Sequence, residues 1–178
     1  MTITAPEMTE SDHADNPTIT VRSVDQQDNS IILPQAFAIA VPDTVEADNV
    51  ISIAAPQATM IARHASGRPW LMVRMPQAYV TASTAPGTSI VVVGTCSASV
   101  EDLNRIARRG ASLSETAAEV MRFDGSFTVY ALRDATILAC GPAMQTHRVF
   151  HARIFGTTIV SDRADTLAAL GRLPLDTA

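Results

Sequence analysis

The chain contains no lysine: all 13 of its basic residues are arginine. That excludes a lysine nucleophile, a Schiff base and the lysine of a phosphate-binding loop. Its 18 acidic residues leave a net charge of −5, and the absence of surplus positive charge argues against a nucleic-acid partner. Aromatic residues make up 4%, so the core must be built from Val, Ile, Leu and Ala. Only Cys96 and Cys140 carry thiols. A pair this sparse reads as small buried apolar side chains rather than a disulfide framework. No window approaches the roughly 20 consecutive apolar residues that cross a bilayer. The N-terminus lacks the basic start and apolar stretch of a secretory signal. The expectation is a cytoplasmic chain without membrane contact. No phosphate loop, GxGxxG, HExxH, CxxC or GxSxG is found.

What is present begins with a composition boundary. Residues 1–30 hold six of the acidic residues and one arginine, so the whole net charge sits there. So polar a segment cannot offset its ordering entropy by burial, and residues 1–34 are read as a disordered acidic tail. Hydrophobic residues make up 47% of the chain, enough for one globular domain, placed at residues 35–173 and followed by a short tail, 174–178. Strands are expected at 36–41, 70–74, 78–83, 88–94, 126–132, 135–140, 147–152 and 154–160, with a turn at Arg133-Asp134. Residues 49–55 fit a strand or a short helix, and 57–63 are ambiguous. Ser99 is expected to cap a helix carrying Val100, Leu103, Ile106 and Ala107 on one face and stopping at Gly110. Ser112 and Glu115 match the capping box of a second helix, lined by Leu113, Ala117, Val120 and Met121. Arg105, Arg108 and Arg109 fall on a solvated outer face. Asp162 is expected to cap a closing helix over 163–170 that presents Leu167 and Leu170. Strands such as 90–93 and 135–140 are apolar on both faces and require cover on both sides. The pattern predicts two stacked sheets with helices outside.

Candidate chemistry is sparse. His13, His64, His147 and His151 are scattered. On a strand, His147 and His151 share a face but lie about 13 Å apart, too far to hold one ion. Cys96 follows an apolar strand and a glycine, yet no neighbour in sequence supplies the base or positive field that a thiolate needs. Thr2 would become an N-terminal nucleophile if Met1 were removed. It stands more than thirty residues before the first core strand, where the amine could not act in fixed geometry.

Residues 65–74 (ASGRPWLMVR), 89–98 (SIVVVGTCSA) and above all 125–170, with GSFTVYALRD and THRVFHARIFGTTIVSDRADTLAAL, resemble the N-terminal domain of actinobacterial lasso-peptide macrolactam synthetases. Those enzymes are similar to asparagine synthetase and β-lactam synthetase, and the resemblance spans residues 36–172. It implies an α+β fold, the four-layer αββα sandwich of the N-terminal-nucleophile (Ntn) hydrolases. In asparagine synthetase a cysteine opens the first strand and hydrolyses glutamine. The corresponding stretch here is Gln35-Ala36-Phe37-Ala38-Ile39, without Cys, Ser or Thr. The glutamine-binding Asn-Gly-Glu stretch aligns with Val93-Gly94-Thr95, where only the glycine survives. Asp124-Gly125 resembles the Asp-Gly pair of that family. The resemblance therefore implies a vestigial pocket around Phe37, Val93, Gly94, Thr95, Cys96, Asp124 and Gly125, with no catalytic residue. It implies no glutaminase activity, no cofactor and no metal in this chain. ATP and Mg²⁺ are expected in a partner ATP-pyrophosphatase domain, which in the family follows at about the position of Leu173. The precursor core peptide would meet the assembled enzyme. Two alternatives remain open at this point: a stand-alone amidohydrolase using Thr2 or Cys96, and a binding or regulatory module without an enzyme partner.

Overall fold

A computed structural model describes residues 31–76, 79–85, 87–109, 112–142 and 147–172. Nine strands and four α-helices are present among them: β1 (Phe37–Ala40), α1 (Ala47–Ala54), β2 (Thr59–Arg63), β3 (Pro69–Arg74), β4 (Val80–Ala85), β5 (Thr88–Cys96), α2 (Val100–Arg108), α3 (Leu113–Val120), β6 (Gly125–Arg133), β7 (Thr136–Cys140), β8 (Phe150–Ile154), β9 (Thr157–Ser161) and α4 (Ala164–Gly171). The strands form two antiparallel sheets, one in the order β2-β3-β1-β9-β8 and one in the order β4-β5-β6-β7. The architecture is mixed α+β.

Alternation of side chains along the strands sorts the core into three clusters. Phe37, Ile39, Met72 and Ile159 point from the five-stranded sheet toward Val50 and Ala54 of α1 and Leu167 and Leu170 of α4. Ile90, Val92, Phe127 and Val129 point from the four-stranded sheet toward Leu103 and Ile106 of α2 and Val120 of α3. The alternate residues meet between the sheets: Ala38, Ala40, Leu71 and Val73 from one, Val91, Val93, Tyr130 and Leu132 from the other. β1 and β5 are thus apolar on both faces because both of their faces are covered.

The helix caps match the sequence reading. Ser99 accepts from the Asp102 amide at 3.1 Å and the Asp102 carboxylate accepts from the Ser99 amide at 3.1 Å. Ser112 and Glu115 repeat the arrangement at 3.2 and 3.0 Å. Gly110 lies outside the described residues. Arg105, Arg108 and Arg109 are exposed, and Arg105 and Arg109 pair with Asp102 and Glu119 at 2.8 and 2.9 Å. Leu103, Ile106 and Ala107 are buried, but Val100, the first residue of α2, is 44% exposed.

Residues 49–55, open between strand and helix, fall in α1 and the 3-10 turn that follows it, and the ambiguous stretch 57–63 leads into β2. Several expectations are corrected. The last strands begin later than expected, at Phe150 and Thr157. Their hairpin turn is Phe155-Gly156, both with positive φ (49° and 83°), a pairing that matches the twist of the flanking strands. The preceding hairpin turns at Asp134-Ala135, φ 47° and 63°, one residue beyond Arg133-Asp134. β7 is an edge strand and only half-buried, so residues 135–140 are not covered on both sides. Asp162 does not cap α4. The N-cap is Arg163, with no side-chain cap bond, and the Asp162 carboxylate instead accepts from the Ala38 amide of β1 at 2.8 Å. The ordered fold also extends into residues assigned to the tail. Leu33 is buried in the cluster under α1, and its amide donates to the Gln57 side chain at 2.9 Å.

Candidate functional site

Two ends of the space between the sheets carry polar groups. The first lies where β5 ends and β6 begins. The register Gly94↔Phe127, Thr95↔Ser126, Cys96↔Gly125 brings Val93, Gly94, Thr95 and Cys96 against Asp124 and Gly125. Both glycines are required by backbone contact. Their φ angles are +126° and +142°, and a Cβ would stand 2.4 Å from the Ser126 carbonyl oxygen at Gly94 and 2.1 Å from that of Thr95 at Gly125. Asp124 closes the β5–β6 connection: its carbonyl accepts from the Ser97 amide at 2.8 Å, and its amide donates to the Ser97 hydroxyl at 3.0 Å. These contacts account for the Asp-Gly pair as local structure. Phe37 is not brought to this group. It is wholly buried, and its ring joins the cluster under α1 and α4, on the other face of its sheet.

Polar groups that sequence reasoning missed line the inter-sheet side near this end. Tyr130 and Thr128 share the inward face of β6 and are buried, with no hydrogen-bond partner for either hydroxyl among the described residues. The Asp162 carboxylate, fixed on the Ala38 amide, lies close enough for its charge to act on the Tyr130 phenol. Burial pushes that phenol well above its ordinary pKa, the Asp162 charge adds to the shift, and the Asp162 amide opposes it without reaching hydrogen-bond geometry. That amide already donates to the Ala38 carbonyl at 3.4 Å. Burial likewise raises Asp162 itself, against the Ala38 amide that favours its charged form.

Neither thiol is activated. Cys96 and Cys140 are free and half-buried against the α2–α3 cluster, as small apolar side chains, and burial pushes both pKa values up. His147 precedes β8 rather than lying on a strand with His151. Its Nε2 meets the Ser126 hydroxyl at 2.8 Å, within proton-transfer distance. No hydrogen bond among the described residues orients its other ring nitrogen, so the pair reads as a tether of the chain to β6. Among the described residues, no group of three or more His, Cys, Asp or Glu could hold a metal ion. Thr2 and His13 lie outside the described residues.

The second polar end is where β5 begins and β6 ends, roughly 20 Å away along β5 from Ser89 to Thr95 at the usual strand rise. Here a cleft of about 550 Å³ opens between the sheets. One wall carries Asp43, Arg63 and His64; the other carries Thr88, Arg133 and Asp134. His64 is buried, with Nε2 against the Val41 carbonyl oxygen at 2.9 Å. Facing a carbonyl oxygen, which only accepts, Nε2 carries the hydrogen of that contact. Four connections distant in sequence build this cleft, and no local pattern announces it.

No family model matches the chain, and a search of curated proteins finds none that matches. No helix among the described residues is long and apolar enough to cross a membrane.

Proposed function

We propose that this chain is the non-catalytic, glutaminase-like part of an ATP-dependent lasso-peptide cyclase. The observation that carries the reading is the mouth of β1. Ala36 is exposed, Phe37 is a wholly buried phenyl ring, and the Ala38 amide is taken by Asp162. A hydrolase of the Ntn type needs a hydroxyl or thiol there, and carbon side chains fill the place instead. The three stacked apolar clusters support the finer fold assignment, a four-layer αββα sandwich of that type. On this reading the chemistry belongs to an ATP-pyrophosphatase domain. With Mg²⁺, that domain transfers AMP from ATP to an Asp or Glu side-chain carboxylate of the precursor peptide, releasing pyrophosphate. The peptide's N-terminal amine then displaces AMP and closes the macrolactam. The present chain docks on that domain and helps to enclose the folded peptide, in the cytoplasm. The amidohydrolase alternative is weakened by the raised pKa of Cys96.

The decisive assay mixes the ATP-pyrophosphatase domain, ATP, Mg²⁺ and leader-processed peptide with and without this chain, and follows the loss of one water from the peptide by mass spectrometry. Cyclisation should depend on the chain, and the chain alone should release no ammonia from glutamine. Equal cyclisation in both mixtures rejects the reading, as does ammonia release.

A further inference from the structure

The two sheets are unequal, five strands against four, and β7 ends the smaller one while β8 ends the larger. The end of β7 lies against the segment that leads into β8, where a Cβ on Gly141 would collide with the His147 carbonyl oxygen. Val160 of β9 packs into the cluster between the sheets. The register His151↔Val160 and Arg153↔Thr158 puts His151 and Arg153 on that same inner face of β8. His151, Arg153 and Thr158 are nevertheless exposed, so the smaller sheet does not reach over them. We propose that the open edge of β7 and the inner face of β8 together form a docking ledge for an extended acidic peptide segment, which joins the smaller sheet as its fifth strand. The inference goes beyond the proposed cyclase role and does not rest on it.

Among the described residues, β7 is the one sheet edge left undefended against strand addition. β2 is broken by two register shifts. β8 carries His151 and Arg153, and β4 is held against α2 by the Ser83–Asn104 bond at 2.7 Å. β7 has no charge, no proline and an unbroken register with β6, the kind of edge that pairs with another chain. Its two-residue hairpin closes on Arg133↔Thr136, a pair that exchanges both backbone bonds. Thr136, Leu138 and Cys140 therefore bond to β6, and Ile137 and Ala139 turn their N–H and C=O groups to the open edge. Charge selects the occupant. Every second side chain of an added strand points at the inner face of β8, across a sheet spacing of about 10 Å that a Glu and an Arg side chain bridge together. Among the described residues Arg153 makes one hydrogen bond, from Nε to the Gly156 carbonyl oxygen at 3.2 Å, and His151 makes none. Asp134, the carboxylate at the hairpin tip, lies beyond the paired residues.

Fluorescence anisotropy of a labelled peptide, Thr-Glu-Val-Glu-Val-Thr with blocked ends, titrated with the full chain at low ionic strength tests the assignment. The peptide should bind. Its counterpart with lysine in place of glutamate should bind about tenfold more weakly, and the same acidic peptide with N-methylated backbone amides should not bind. Arg153→Gln should weaken binding about threefold. Ala139→Pro removes one outward N–H, spares the bonds to β6 and should abolish binding. Three outcomes overturn the proposal: no binding at millimolar peptide, equal affinity for the lysine or the N-methylated peptide, or affinity unchanged in Arg153→Gln with the circular dichroism of the native chain retained. A dimer seen by light scattering that Ala139→Pro dissolves would assign the edge to a second copy of the chain and overturn the peptide as its occupant. None of these outcomes bears on the cyclisation assay, so the two readings fail separately.

Discussion

Asp162 holds the backbone of a strand 124 residues away, and its charge and its oxygen have opposite effects on stability. Burial raises its folded pKa above the unfolded value of about 3.9. The folded chain then binds the proton more tightly. The stability contributed is fully present below the unfolded pKa and is lost as pH rises through the folded pKa. Asp162→Asn keeps an acceptor for the Ala38 amide and removes the buried charge, so this variant should melt above the native protein at pH 7 and alongside it near pH 3.5. Asp162→Ala leaves a buried N–H unpaired and should lose about 1–3 kcal/mol near pH 3.5, and less at pH 7, where removal of the buried charge offsets part of the loss. Thermal melts followed by circular dichroism separate the two. The sequence hides this role completely. An Asp just ahead of an apolar helical run has the spacing of an N-cap, and only tertiary pairing of β1 with β9 supplies the competing amide. Gly94 and Gly125 enter the sequence reading only through the family resemblance, and the reason for them, a backbone carbonyl across the ladder, is visible only once β5 and β6 are in register.

At the scale of elements, the helices α2 and α3 were the most legible parts of the chain, because a capping box and an apolar face are local patterns. Ser99→Ala and Ser112→Ala should each cost about 1 kcal/mol in urea unfolding at pH 7. The Asp102 carboxylate is held below its ordinary pKa chiefly by the Ser99 hydroxyl, and that of Glu115 chiefly by the Ser112 amide. The stability those carboxylates supply is present above the unfolded pKa of about 4 and is lost as pH falls through the folded values. The deficit of Ser99→Ala should therefore shrink below pH 4, and that of Ser112→Ala less, because the Ser112 amide remains to hold Glu115. Hairpin boundaries were less legible. Asp134-Ala135 and Phe155-Gly156 adopt positive φ at both central positions, yet only Asp134 and Gly156 among the four are residues that conformation favours. Strand register overrode local preference at Ala135 and Phe155. The cleft lined by Arg63 and Arg133 was not legible at all, since its walls come from turns some seventy residues apart.

Over the whole molecule, the two sheets meet through small residues on one side, Ala38 and Ala40, and larger ones on the other, Tyr130 and Leu132. Ala40 is buried to within 1%, so Ala40→Leu should force the sheets apart and cost about 1–3 kcal/mol in urea unfolding. The sheets also differ in how their strands are ordered. In the four-stranded sheet, β4, β5, β6 and β7 are neighbours in the chain and in space. In the five-stranded sheet, the central strand β1 pairs with β9 through Ile39↔Ser161. During synthesis the first sheet can close as it leaves the ribosome. β1 must wait, apolar on both faces and open along one edge, until more than a hundred further residues have emerged. Non-local pairing of this kind slows folding and prolongs exposure to aggregation. The chain's early life thus hinges on shielding one four-residue strand until its C-terminal mate arrives.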